Sequence, residues 1–151
     1  MKIKIYSRSS LPSAVLSANN AEQLPSLDNL LSSVDFVSLH CPANSENRHL
    51  INMDRLRQMK STAFLVNTAR GSLVNEKDLV AALDAGVIAG AGLDVFEAEP
   101  RVNPGLIERP DVVLLPHLGS ATIETRNAMG LRVLENAIAF FAGREPPDRV
   151  V

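Results

Sequence analysis

Ala63-Phe64-Leu65-Val66-Asn67-Thr68-Ala69-Arg70-Gly71-Ser72-Leu73-Val74 runs from a short apolar segment into a small, polar, glycine-containing turn. A helical pattern follows from Asn75. A buried parallel strand delivers a loop to the rim of an α/β sheet in this way, and ligands bind at that rim. The loop carries one permanent charge, Arg70. A guanidinium grips a carboxylate with two parallel hydrogen bonds, which an ammonium cannot match. Taken alone, Arg70 reads better as a surface arginine beside a turn. Glu99 and His117 alter the balance, because each also follows a strand-like run and sits beside Pro or Gly.

Around this stretch the apolar pattern alternates between strand and helix. Strands are expected at 2–6, 36–39, 62–66, 87–95 and 112–115, with a small one near 23–24. Helices are expected at 27–33 behind the cap Ser26, at 53–59, at 75–85 with Gly86 as its stop, and at 122–142. Residues 11–25 read as a short helix or loop. The glycines of 87–95 suggest close approach of backbone or ligand. In the last helix Ile123, Leu131, Leu134, Ile138 and Phe141 are available for packing. The order predicts an α/β fold: a Rossmann-like parallel sheet with helices on both faces, ending in a long helix.

The 151 residues suffice for one domain with a real core. A net charge of −2 and the absence of a basic tract argue against nucleic acid or an anionic membrane as main partner. No apolar run approaches a membrane span, and no signal-peptide core is present. Cys41 is the one cysteine, which fits a reducing cytoplasm. Three histidines and one cysteine at unrelated spacings do not make a metal site. His40 and His49 read as structural.

Arg, Glu and His at three strand ends suit the reduction of a 2-oxo acid. Arg70 would bind the carboxylate and polarise the carbonyl, and His117 would protonate the carbonyl oxygen. Glu99 would orient the imidazole and favour its charged form. The hydride must then come from a nicotinamide cofactor. From residue types and order alone, a chance spread of three common residues over loops is an equal alternative.

Three stretches, Val66 to Leu73 (VNTARGSL), Gly92 to Pro100 (GLDVFEAEP) and Leu115 to Thr122 (LPHLGSAT), resemble the D-isomer-specific 2-hydroxyacid dehydrogenase family, and the likeness runs through essentially the whole chain. The resemblance implies Arg70, Glu99 and His117 as catalytic residues. Glu97 is a decoy, because the family's catalytic Glu directly precedes the Pro, here Pro100. It also implies cofactor contacts: Asp94 to the nicotinamide carboxamide, Cys41-Pro42 beside the adenine and its ribose, and Thr68, Ala69, Gly119 and Ser120 on the nicotinamide side. The expected partner is a small 2-oxo or 2-hydroxy acid. Glyoxylate, hydroxypyruvate and phenylpyruvate-like acids all stay open. A parent of this family is expected to be a homodimer.

The phosphate-binding G-x-G-x-x-G of such folds is absent from the sequence. Gly90-Ala91-Gly92 is no substitute, since it lies within a strand with no helix after it. The expectation is therefore a partial dinucleotide-binding domain over 1–142, truncated at its N-terminus, with a C-terminal crossing helix and a linker-like tail over 143–151. Three functional readings follow: an oxidoreductase whole in a longer parent, a non-catalytic nucleotide-binding or interaction module of the same fold, and an inert truncated product.

Cofactor choice is read after the strand at 2–6, which holds the place of the second strand in a dinucleotide fold. An acidic residue there selects NAD, and an arginine accommodates the 2′-phosphate of NADP. Ser7-Arg8-Ser9-Ser10 has no acid. Arg8 can pair with the phosphate, and Ser7 and Ser9 can donate to its oxygens. An ordinary turn with a solvated arginine is the alternative. NADP is expected as the preferred cofactor, with NAD as the other.

Overall fold

The computed structural model describes residues 1–150 and divides into two compact units, Met1–Pro116 and a second from His117 onward. Among the described residues no helix is long and apolar enough to cross a membrane.

In the first unit all strand pairings are parallel. Strands β1 (Ile3–Ile5) and β2 (Ala21–Gln23) form a two-stranded sheet, with helix α1 (Ser13–Ala18) between them in sequence. A four-stranded sheet follows in the order β3 (Phe36–Leu39), β4 (Phe64–Asn67), β5 (Gly90–Leu93) and β6 (Val112–Leu114). Leu39, Asn67 and Leu93 lie side by side in register. All strands of this sheet therefore end at one edge. β1 and β3 are not hydrogen-bonded to each other, so the strands form two separate sheets. In the doubly wound order 3-2-1-4-5-6, β2 and β1 take places 3 and 2, and β3 takes place 4. Among the described residues no strand fills the place between them.

α1 starts behind Pro12 without a side-chain cap, but the other α-helices of this unit start where side chains take up free backbone N–H groups. Ser26 caps α2 (Leu27–Ser33) by accepting from Asn29 N. Asn52 caps the short α3 (Met53–Leu56) by accepting from Arg55 N. Asn75 caps α4 (Glu76–Asp84), accepting from both Lys77 N and Asp78 N. Gly86, at φ 63°, ends α4, with Gly86 N bonded to Leu83 O and Val87 N to Ala82 O. This paired closure is the Schellman motif. It also explains why the strand expected from 87 begins only at Gly90: the Val87 amide is spent on the helix end.

Leu31, Ile51, Leu56, Leu65, Leu73, Leu79 and Leu106 are fully buried and join one hydrophobic cluster. Each such side chain stabilises the fold by about 1.5–3 kcal/mol. Gly90 confirms the close approach read from its sequence, since a Cβ there would collide with Asp111 O and the Phe64 ring.

The second unit is built on α5 (Ile123–Phe141), capped by Thr122, which accepts from Thr125 N. Gly143, at φ 66°, closes it with the same paired bonds, Gly143 N to Phe140 O and Arg144 N to Ala139 O. The tail does not simply trail away. Asp148 takes two bonds from Arg132, at 2.6 and 2.7 Å, and exchanges bonds with Asn136. Val151, the last residue of that tail, lies outside the described residues. Of the side chains expected to pack, Ile123, Leu131, Leu134, Ile138 and Phe141 are all exposed.

Candidate functional site

Asn67 closes β4 and is 1% exposed. Its side-chain oxygen accepts from Ala69 N at 3.1 Å, and its amide donates to Arg70 O at 2.9 Å. These two bonds fold Thr68-Ala69-Arg70 back over the strand end. Arg70 is left exposed at the edge, its Nη1 donating to Ala69 O. Asn67 was not picked out from the sequence; the signal was a polar residue at the buried end of an apolar strand.

Gly71 follows and opens a 3-10 turn over Gly71–Leu73. A Cβ at Gly71 would overlap the backbone of Phe96 and Glu97. The loop after β4 therefore lies directly against the loop after β5. That second loop begins at the buried Asp94, whose N–H donates to Asn67 O at 3.0 Å. It carries Glu99, whose Oε1 accepts from Phe96 N at 3.0 Å. Arg70, Asp94 and Glu99 thus share one edge of one sheet on abutting loops.

Cys41 and Pro42 follow β3 at the same edge. Cys41 is half-buried and packs against the core, and Pro42 O accepts from Asn47 Nδ2. Ser7, Arg8 and Ser9 follow β1. Gln23 shapes that loop: its Nε2 donates to Ser9 O at 2.9 Å and its Oε1 accepts from Leu11 N at 2.8 Å. Arg8 is exposed and pairs with Glu46, so the loop after β1 meets the loop after β3. His117 opens the second unit in the left-handed region, at φ 55°, ahead of Gly119, Ser120 and α5.

The glutamate set aside as a decoy has a well-defined environment. Glu97 Oε1 lies 2.5 Å from His49 Nε2 and 3.3 Å from Arg48 Nη2. Its backbone N–H donates to Glu76 Oε1, and Glu76 N donates to Glu97 Oε2. Burial acts to raise the Glu97 carboxyl, but the hydrogen bonds from His49 and the Glu76 backbone, with the nearby charges, outweigh it and hold it below its ordinary value. Burial dominates at Glu76 and pushes its carboxyl up. The structural reading of His49 therefore needs correction: a charged partner does face it, delivered from 48 residues away.

The family model for the NAD binding domain of D-isomer specific 2-hydroxyacid dehydrogenases matches residues 1–119. The glyoxylate reductase of Thermococcus kodakarensis is 48% identical over 99% of this chain and 44% of its own length. The chain spans about half the length of the curated relatives it matches. Among solved structures, the NADPH-dependent glyoxylate/hydroxypyruvate reductase of Sinorhizobium meliloti, in complex with NADP and malonate, superposes with a TM-score of 0.83 at 38% identity, covering 90% of this chain and 41% of that one. The NAD-complexed D-isomer specific 2-hydroxyacid dehydrogenase of Lactobacillus delbrueckii gives 0.85 at 29% identity, covering 99% and 49%. A family match over most of its residues, on a fold shared with both structures, means that the chain belongs to the D-isomer-specific 2-hydroxyacid dehydrogenase family through its NAD binding domain.

Proposed function

We propose that this chain carries the cofactor side of an oxidoreductase that moves a hydride between NAD(P)H and a small 2-oxo or 2-hydroxy acid, of the glyoxylate/hydroxypyruvate reductase type. The observation that carries the reading is the abutment of the Arg70 and Glu99 loops at Gly71 and Phe96. The activity named for similar proteins supports it.

In this reading Arg70 holds the substrate carboxylate in a bidentate grip and polarises the neighbouring carbonyl. A bound NAD(P)H supplies the hydride to the carbonyl carbon. His117 gives its proton to the carbonyl oxygen, and takes it back from the hydroxyl in the reverse direction. Glu99 orients that imidazole. Asp94, Thr68, Ala69, Gly119 and Ser120 would flank the nicotinamide, and Cys41 and Pro42 the adenosine. The residues fit at strand ends, where dinucleotides lie in these folds, but the pyrophosphate has no glycine turn in the sequence to receive it. The NADP preference draws support from Gln23, whose Nε2 bonds the backbone of the loop that carries Ser7, Arg8 and Ser9. Glu46 opposes it, because a 2′-phosphate must displace that carboxylate from Arg8.

The test follows oxidation of NADPH and of NADH by glyoxylate and hydroxypyruvate with the full chain. His117→Ala should lower kcat by roughly 100-fold or more, the usual worth of a positioned proton donor. Arg70→Lys should raise KM for the 2-oxo acid and lower kcat. Arg8→Asp should reverse the preference for NADPH. Turnover unchanged in His117→Ala would overturn the catalytic reading. Binding of adenosine 2′,5′-bisphosphate without any turnover would favour the nucleotide-binding module instead.

A further inference from the structure

His49 lies off the reading above, yet it is bonded to both loops on which that reading depends. Its backbone occupies the left-handed region at φ 50°, where a side chain with a Cβ is strained. That conformation aims its N–H at Ser72 O, at 2.8 Å, two residues beyond Arg70. The contact continues as a short parallel bridge, Ile51 N to Leu73 O and Asn75 N to Ile51 O, both 2.9 Å. The imidazole of His49 meets Glu97, two residues before Glu99, at 2.5 Å. Glu97 in turn is fixed on both sides by the reciprocal backbone bonds with Glu76.

We propose that His49 is a positioning residue: a strut that holds the Arg70 loop by its backbone and the Glu99 loop by its ring, and so sets their relative placement. The catalytic consequence rests on the roles given above to Arg70 and Glu99; the mechanical link does not. The physical logic is that the Gly71–Phe96 abutment limits how near the loops can come, but a steric contact cannot stop them parting. A hydrogen-bonded link across them can. Arg48 also reaches Glu97, at 3.3 Å, but it is 61% exposed and anchors to neither loop by its own backbone. Through Phe96 N, which bonds Glu99 Oε1 at 3.0 Å, the ordering reaches the carboxylate that is to orient the imidazole. Such a group earns its strained backbone by where it points two different hydrogen bonds.

The strained φ supplies a clean variant. His49→Gly relaxes the backbone and removes the ring, so it should fold. Amide hydrogen exchange on the full chain should then show protection over 96–99 falling by on the order of tenfold, with 71–73 nearly unchanged, because the bond to Ser72 is retained. His49→Gln offers a donor to Glu97 and should recover most of that protection. Glu97→Gln, which leaves His49 in place, should loosen 96–99 in the same way. With glyoxylate and NADPH, His49→Gly should lower kcat and leave KM for NADPH unchanged. Exchange over 96–99 that is the same in His49→Gly and Glu97→Gln as in the unmodified chain would overturn the strut. Absence of turnover in the unmodified chain would fail the oxidoreductase reading, and the exchange result would still decide the link between the loops.

Discussion

Gly71 illustrates how one missing Cβ can join two loops. Alanine there must push against the backbone of Phe96 and Glu97, which has no rotamer through which to yield. Overpacking of this kind costs about 1–3 kcal/mol, so Gly71→Ala is expected at the upper end of that range by urea denaturation, with Ser72→Ala as the mild control. Glu97 gives a prediction in pH. Its folded carboxyl is held below its ordinary value, against the pull of burial, by His49 and the Glu76 backbone. A depressed carboxylate contributes stability that is present above its unfolded value and lost as pH falls through the folded one. Glu97→Gln should therefore lower stability at pH 7 by about 1–2 kcal/mol, the scale of a hydrogen bond to a charged group. Thermal melts should show that gap closing below about pH 4, under the ordinary glutamate value. Glu76, raised by burial, runs the other way and favours the folded state at low pH. A gap that widened on acidification would contradict the assignment.

Elements whose cause is local could be read from the sequence, and elements whose cause is distant could not. Ser26 announces α2 because a cap acts within its own first turn, while Asn75 and Thr122, counted inside their helices from the sequence, prove to be the caps of α4 and α5. Strand β3 coincides with its expected bounds, since a short apolar run bounded by polar residues needs no further information. The start of β5 was misplaced because the helix closure at Gly86 claims the Val87 amide first. At the site, Arg70, Glu99 and His117 were singled out as candidates from motifs, but Asn67, Gln23 and His49 could not be: each acts through a bond to a residue the fold brings near. The Asn75 cap can be measured directly. It serves two N–H groups and stands where Asp78, by accepting from Met53 N at 2.9 Å, ties α4 to α3. Asn75→Ala should cost about 1 kcal/mol, towards 2 because two donors are released. Ser26→Ala, which frees one, should cost less in the same denaturation series.

At the scale of the whole molecule the decisive feature is the interruption between β1 and β3. The loop that would meet the adenosine ribose follows β1, and the loops that would meet the nicotinamide follow β4 and β5, in a different sheet. In a dinucleotide fold the pyrophosphate crosses between these ends at a glycine turn opening a helix, where backbone N–H groups and the helix dipole receive its charge. No glycine fingerprint occurs in the 151 residues. On the proposed reading, the halves of the cofactor would meet loops that the described residues do not join through the phosphates. Affinity for the whole dinucleotide should then owe little to its centre. The prediction is that NADPH and adenosine 2′,5′-bisphosphate bind this chain with Kd values within about tenfold of each other, a difference of about 1.4 kcal/mol. Both should weaken in Arg8→Ala and tighten in Glu46→Gln, which frees Arg8 from its carboxylate partner. Isothermal titration of both ligands against the three proteins measures this directly. NADPH binding tighter by several powers of ten would mean that other backbone groups of this chain receive the pyrophosphate, and that the two sheets already act as one cofactor platform.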